Sequence, residues 1–169
     1  MNVGLVVVGR VSGHLEPGVR EYEKRAGRYW RLRIREVDEE PGSSGAGPQR
    51  VREREGERIL RAIPDQAIVL LLTRTGKGLS SEGLARYLER QQVASRREVC
   101  FVIGGAHGVA PAVEAESTFG LSLSPMTLPH ELARLVLAEQ LYRAGTIVRG
   151  EPYHKGADGG GRAPGGMHG

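Results

Sequence analysis

Three short stretches of this chain are apolar at every position: Leu5-Val6-Val7-Val8 between Gly4 and Gly9, Ala67 to Leu72, and Val99 to Ile103. A strand with one face in water alternates apolar and polar residues, so an unbroken apolar run marks a strand buried on both sides. Segments of helical period separate these runs. From Pro17 onward Val19, Tyr22, Ala26 and Tyr29-Trp30 recur at helical spacing, with Glu21, Glu23, Lys24 and Arg25 between them. That pattern predicts an amphipathic helix with Pro17 in its first turn. Gln49 to Ile63 is densely charged, with Val51, Ile59 and Ile63 as a thin apolar stripe, and reads as a solvated helix whose cations could also meet phosphates. Ser80-Ser81-Glu82 opens a third helix through Leu84, Ala85 and Leu88, with either serine as its cap. Fully buried strands alternating with helices predict an α/β fold, a mostly parallel sheet flanked by helices on both faces.

The remaining elements fit that scheme. Arg31 to Asp38 alternates through Leu32, Ile34 and Val37 as a strand, and Glu39 to Pro48 is a glycine- and serine-rich loop. Thr73 to Gly78 reads as a loop, Pro111 to Glu116 as a short helix, and Phe119 to Leu123 as the last strand. The helix after Pro129 carries His130, Glu131 and Arg134 on one face and Glu139, Gln140 and Arg143 on roughly the opposite one. Its apolar side is therefore wide, which predicts burial by a subunit partner as well as by its own sheet. Glu139 and Arg143 stand at i and i+4 with the acid first, the favourable order. Residues 1–155 are expected to form a single domain. The glycine-rich tail 156–169 has almost nothing to bury and is expected to be disordered.

The 169 residues carry a formal charge of +4, almost wholly as arginine, which suits a polyanionic partner such as RNA. Cys100, the single cysteine, lies inside an apolar run, so no intrachain disulfide and no cysteine metal cluster can form. No segment has the length of a membrane span or the pattern of a secretory leader, and the expected location is the cytoplasm, with no membrane and no metal partner. There is no Gly-x-Gly-x-x-Gly, and Gly76-Lys77-Gly78 lacks the upstream glycine of a phosphate-binding P-loop. His130-Glu131-Leu132-Ala133-Arg134 has an arginine where a zinc-protease helix needs its second histidine.

Two loops that follow strands stand out instead: Gly104-Gly105-Ala106-His107-Gly108, and Ser124 to Pro129. Adjacent glycines let a backbone pass close to a ligand where a Cβ would intrude. In an α/β sheet ligands sit beyond the carboxyl ends of the strands, which is where both loops fall. His130, at a helix start, is expected to bond nearby backbone.

An ordered set of motifs spans Val3 to Lys155: Tyr22-Glu23-Lys24-Arg25, Glu55-Gly56-Glu57-Arg58-Ile59-Leu60, Gly76-Lys77-Gly78-Leu79-Ser80-Ser81-Glu82, Phe101-Val102-Ile103-Gly104-Gly105, Leu121-Ser122-Leu123-Ser124, Met126-Thr127-Leu128-Pro129-His130, Glu139-Gln140-Leu141-Tyr142-Arg143-Ala144 and Tyr153-His154-Lys155. In these the chain resembles the large-subunit ribosomal RNA methyltransferase H family, pseudouridine N3-methyltransferases of the knotted SPOUT superfamily. It departs from the pattern at Leu72-Thr73-Arg74-Thr75, which changes the rim of the cofactor site that the resemblance implies, at Ala106-His107 and after Lys155.

The resemblance implies a C-terminal trefoil knot, a rare exception to unknotted chains. It implies a homodimer with each site near the subunit boundary, and S-adenosyl-L-methionine bound by Leu72, Gly104, Leu123, Ser124, Pro125, Met126, Thr127 and Leu128. Apolar Leu72, Leu123 and Leu128 suit an uncharged adenine ring whose edge is read by backbone groups. The implied reaction is methyl transfer to N3 of a pseudouridine in 23S ribosomal RNA of the large subunit, within the ribosome. His154 would be the proton acceptor or base-orienting group, Arg143 the group that polarises a carbonyl or holds a phosphate, and Tyr153 and Lys155 the shapers of the RNA side. A knotted methyltransferase acting on another RNA, such as a transfer RNA, and a non-catalytic RNA-binding relative remain open alternatives.

Overall fold

The computed structural model describes residues 1–42, 45–94 and 97–157. Among them, strands β1 (Asn2–Val8), β2 (Arg31–Val37), β3 (Ile68–Gly78), β4 (Val99–Ile103) and β5 (Phe119–Ser122) form one sheet in the order β2-β1-β4-β3-β5. Every neighbouring pair in it is parallel. The helices are α1 (Glu16–Ala26), α2 (Pro48–Ala62), α3 (Ser81–Ala94), α4 (Pro111–Glu116) and α5 (His130–Val148), with short 3-10 helices at Gly13–Leu15 and Pro152–Ala157.

The unbroken apolar runs are explained by two cores, one on each face of the sheet. Val3, Leu5 and Val7 of β1 and Val99, Phe101 and Ile103 of β4 pack with residues of α1, α3 and α5. Val6 and Val8 of β1 and Cys100 and Val102 of β4 face Ile59 of α2 and Val113 of α4. Burial pushes the Cys100 thiol up to about 12, so the free cysteine is an inert core side chain.

Three sequence readings change. The first helix ends at Ala26 rather than running on to Tyr29-Trp30. Gly27 begins a turn in which the Tyr29 and Trp30 amides still bond the Ala26 carbonyl, so the apolar spacing outlasts the helix. Trp30 then uses its indole Nε1 to donate to the Leu141 carbonyl at 2.8 Å, pinning α5. The residues read as the loop Thr73 to Gly78 belong to β3, which pairs with β5 twice, at Leu70–Leu72 and again at Lys77–Gly78. Leu121 faces both Leu72 and Lys77, so residues 73–76 form an excursion off the ladder. Polar and glycine residues at 73–78 conceal that extension.

The third change concerns α5. It packs against α1, α3 and the sheet, and Leu137, Ala138, Leu141 and Ala144 are fully buried within one chain. Leu132, Leu135 and Val136 on the same apolar side stay only half-buried in the single chain. Arg134, read as part of a polar face, is buried instead. Its Nε donates to Glu23 Oε1 at 2.6 Å and its Nη1 to Glu36 Oε2 at 3.1 Å, joining α5 to α1 and β2. Removing one partner from such a buried pair costs about 3–5 kcal/mol. Of the tail, Gly156 and Ala157 close the last 3-10 helix; the disorder expected beyond them falls outside the described residues.

Candidate functional site

Because all the strands are parallel, the carboxyl ends of β3, β4 and β5 open on one edge of the sheet, and a cleft of about 1080 Å³ lies there. Leu72, Gly104, Leu123, Ser124, Met126, Thr127 and Leu128 line it; Pro125, the remaining member of the expected cofactor set, is exposed and does not. The glycine loop folds back on itself, with the Gly108 amide donating to the Gly105 carbonyl at 3.1 Å. A Cβ at Gly104 would stand 2.5 Å from Val109 Cγ1, and one at Gly105 would meet Glu55 Oε2 at 2.4 Å. A side chain at Gly104 would crowd the loop's own Val109, and one at Gly105 would displace the Glu55 carboxyl of α2. Glu55 is buried there; desolvation pushes its carboxyl above the usual range, while the Glu40 amide donates to it at 3.3 Å.

The second loop is shaped by Ser124, whose Oγ accepts the Met126 amide at 3.0 Å and so turns the chain around the cleft mouth. Met126 itself is 74% exposed, an unusual position for a large apolar side chain. The excursion in β3 forms the opposite wall. Gly76 and Gly120 touch there, since a Cβ on Gly76 would lie 2.5 Å from the Gly120 carbonyl carbon. Thr73, Arg74 and Thr75 therefore join the lining, as do Glu114 and His130. The loop reading of 73–78 missed the pairing with β5, although the resemblance had put Leu72 to Thr75 at the rim of the cofactor site. His130 Nε2 lies 3.7 Å from Glu39 Oε1, so the ring's recorded partner is a carboxylate rather than nearby backbone.

Arg143, Tyr153 and His154 do not line this cleft; they gather at the far half of α5 and the start of α3. Ala133 lines the cleft, and ten further residues at ~1.5 Å rise put Arg143 about 15 Å along the helix. Here one oxygen, Glu139 Oε1, accepts from Arg143 Nε at 3.0 Å, Arg143 Nη2 at 2.6 Å and Tyr153 Oη at 3.1 Å. The other, Oε2, accepts from Gln140 Nε2 at 2.7 Å, and Gln140 Oε1 takes the Ser81 hydroxyl at 2.6 Å. The Arg143 guanidinium lies 4.8 Å above the Tyr153 ring, and Tyr142 packs on the same ring at 4.6 Å. Burial, with the Glu139 bond next, pushes the Tyr153 phenol up to about 12, so it stays a neutral donor.

His154 joins this network through α3. Its Nε2 lies 2.6 Å from Glu82 Oε1, in the first turn of that helix. The Glu82 carboxyl is held below its ordinary range by its own backbone N–H, then by His154 and Ser80. Ser80, one of the two expected caps, accepts the Gly83 amide at 3.0 Å. The sequence reading treated Glu82 as a helix opener and as the last residue of one motif of the resemblance, with no partner assigned. Its tie to His154 joins residues 72 positions apart, which no local pattern reveals.

Among the described residues no helix is long and apolar enough to cross a membrane, and no three His, Cys, Asp or Glu side chains are placed to hold a metal ion. The family model described as "Predicted SPOUT methyltransferase" matches residues 1–154. Ribosomal RNA large subunit methyltransferase H of Gemmatimonas aurantiaca is 51% identical over 156 residues, covering 92% of this chain and all of that protein. The protein of the same name from Syntrophotalea carbinolica is 45% identical, covering 91% of this chain and 99% of its own. A solved structure titled as a probable methylase family protein of Haemophilus influenzae superposes with a TM-score of 0.52 over 90% of this chain and 70% of its own; at 13% identity this likeness concerns the fold alone. With a five-stranded parallel α/β sheet, a cleft at its carboxyl edge and a family match along nearly its whole described length, the chain belongs to the SPOUT methyltransferase family.

Proposed function

We propose that this methyltransferase modifies N3 of a pseudouridine in 23S ribosomal RNA of the large subunit, with S-adenosyl-L-methionine as donor. The observation that carries the reading is the full-length similarity to proteins named as large-subunit ribosomal RNA methyltransferases, together with a cleft lined by Leu72, Gly104 and residues 123–128. That cleft fits an adenosyl group: Leu72, Leu123 and Leu128 offer apolar contact, the two loops offer backbone polar groups, and the ionisable Arg74, Glu114 and His130 complete the lining. When bound, the donor supplies a methyl group already activated on a sulfonium.

The chain's own task is then to align the nucleophile and remove its proton. In this reading His154 takes the imide proton, Arg143 polarises a base carbonyl or holds a phosphate, and Tyr153 and Lys155 shape the RNA side. Because Arg143 lies about 15 Å along α5 from the cleft of its own chain, and neither Tyr153, stacked on Arg143, nor His154 lines that cleft, the reading includes a homodimer in which one protomer's trio serves its partner's cleft. It also includes threading of the C-terminal segment as a trefoil knot, with which the seat of α5 against both α1 and α3 is compatible. The protein acts on ribosomal particles in the cytoplasm.

The test is incubation of the purified protein with donor tritiated on its methyl group and, separately, free 23S RNA, large subunits, whole ribosomes and transfer RNA. Label mapped to N3 of a pseudouridine in 23S RNA supports the proposal. Label only in transfer RNA, or none although the donor binds, overturns it.

A further inference from the structure

Among the described residues two buried side-chain nitrogens have no hydrogen-bond partner, Arg134 Nη2 and His154 Nδ1. Arg134 is held by its other two nitrogens in ion pairs. The imidazole of His154 has a single tie, from Nε2 to Glu82 at 2.6 Å. An ionised carboxylate can only accept, so Nε2 must carry the hydrogen. A second hydrogen on Nδ1 would then be a buried donor without an acceptor, which is costlier and rarer than an uncommitted lone pair. The neutral ring is therefore the Nε2–H tautomer, with its lone pair on Nδ1.

We infer that Glu82 is a positioning residue for methyl transfer: it fixes the ring and tautomer of His154 so that Nδ1 is the atom that accepts the substrate proton. The inference rests on the reading above that His154 takes the imide proton. In that step the N3–H bond breaks and the proton passes to Nδ1; the electron pair left on N3 forms the bond to the methyl carbon as the methyl–sulfur bond breaks, its pair staying on the sulfur that leaves as a neutral thioether. Nδ1 is covered in the single chain, and the six-residue 3-10 helix that carries it is the last described element, packed on α5. Proton transfer to Nδ1 therefore requires this cover to open while the Nε2–Glu82 bond holds.

The experiment uses full-length protein, with Glu82→Ala, Glu82→Gln and His154→Ala compared for kcat, for KM with donor and ribosomal RNA, and for imidazole tautomer by long-range ¹⁵N–¹H correlation. His154→Ala assigns the signal among the five histidines. The wild type should show Nε2 protonated and Nδ1 bare. Glu82→Gln, whose amide oxygen still accepts from Nε2, should keep that tautomer and lose at most about tenfold in kcat. Glu82→Ala should lose the preference and about 100-fold in kcat, with KM for the donor within about twofold. A purely structural cap would not be rescued by Gln in this tautomer-specific way, because Ser80 already caps α3. A wild-type ring protonated on Nδ1 overturns the inference even if Glu82→Ala does not fold. Full activity of Glu82→Ala beside an inactive His154→Ala overturns it alone, while an active His154→Ala overturns the His154 reading as well.

Discussion

The cleft and the α3–α5 cluster are held together by opposite means. At the cleft, shape comes mostly from backbone: two loops closed by bonds from the Gly108 and Met126 amides, a β3 excursion resting on Gly76 and Gly120, and leucines in the lining. In the cluster, shape comes from side chains holding side chains, with Glu139 receiving Arg143, Tyr153 and Gln140, and Glu82 receiving His154. The side of the cleft formed by leucines and loop backbone suits a ligand part without charge, while Arg74, Glu114 and His130 supply the ionisable part of the lining. A carboxylate-anchored cluster suits groups that must keep a fixed protonation state and direction. Binding and turnover should therefore separate on mutation.

The largest separation is expected for His154→Ala. Removing a proton acceptor should lower kcat by about 100-fold or more, while donor affinity by isothermal titration stays within about twofold of wild type, because His154 does not line the cleft. Parallel loss of affinity and turnover would merge the two regions into one site and break the comparison.

The α/β class was legible because apolar runs at Leu5–Val8, Ala67–Leu72 and Val99–Ile103 have only one sheltered arrangement, between two helical layers. The glycine loop and the 123–128 turn were legible from their place after strands. The strand pairing around residues 73–76 was not, since Thr-Arg-Thr-Gly has loop composition and the pairing with β5 is a tertiary contact; their place at the cofactor rim came only from the resemblance. Arg134 was misplaced for a similar reason: its carboxylate partners, Glu23 and Glu36, lie about a hundred residues away, and periodicity sees only its charge. The resemblance singled out Arg143, Tyr153 and His154 but not Glu82's hold on His154, because a partner's identity depends on folding α3 beside the C-terminal turn.

A smaller effect, opposite in kind, is expected for Leu128→Ala. Leu128 is half-buried on the cleft and packed against the main core. Losing its contact should weaken donor binding by roughly tenfold, about 1.4 kcal/mol, and leave kcat at saturating donor within about twofold. A fall in kcat with unchanged donor affinity would mean that this leucine orients the RNA rather than the donor.

The smallest expected effect sharpens the contrast within the cleft itself. Glu55 stands behind the glycine loop, and its burial makes the ionised form unfavourable in the folded state. Its folded pKa lies above the unfolded one, so the native state holds this proton more tightly than the unfolded chain does. The resulting stabilisation is fully present below the ordinary glutamate value, 4.5, and is lost as pH rises through the raised folded value. Glu55→Gln removes the ionisation while its amide oxygen can still accept the Glu40 amide. The variant should therefore melt higher than wild type at pH 8, by about 2–4 °C for each kcal/mol recovered, with the gap closing as the pH falls below 4.5. Scanning calorimetry across that range checks it. A gap that does not change with pH would assign the effect to packing against Gly105, and the raised pKa of Glu55 behind the glycine loop would lose its thermodynamic support.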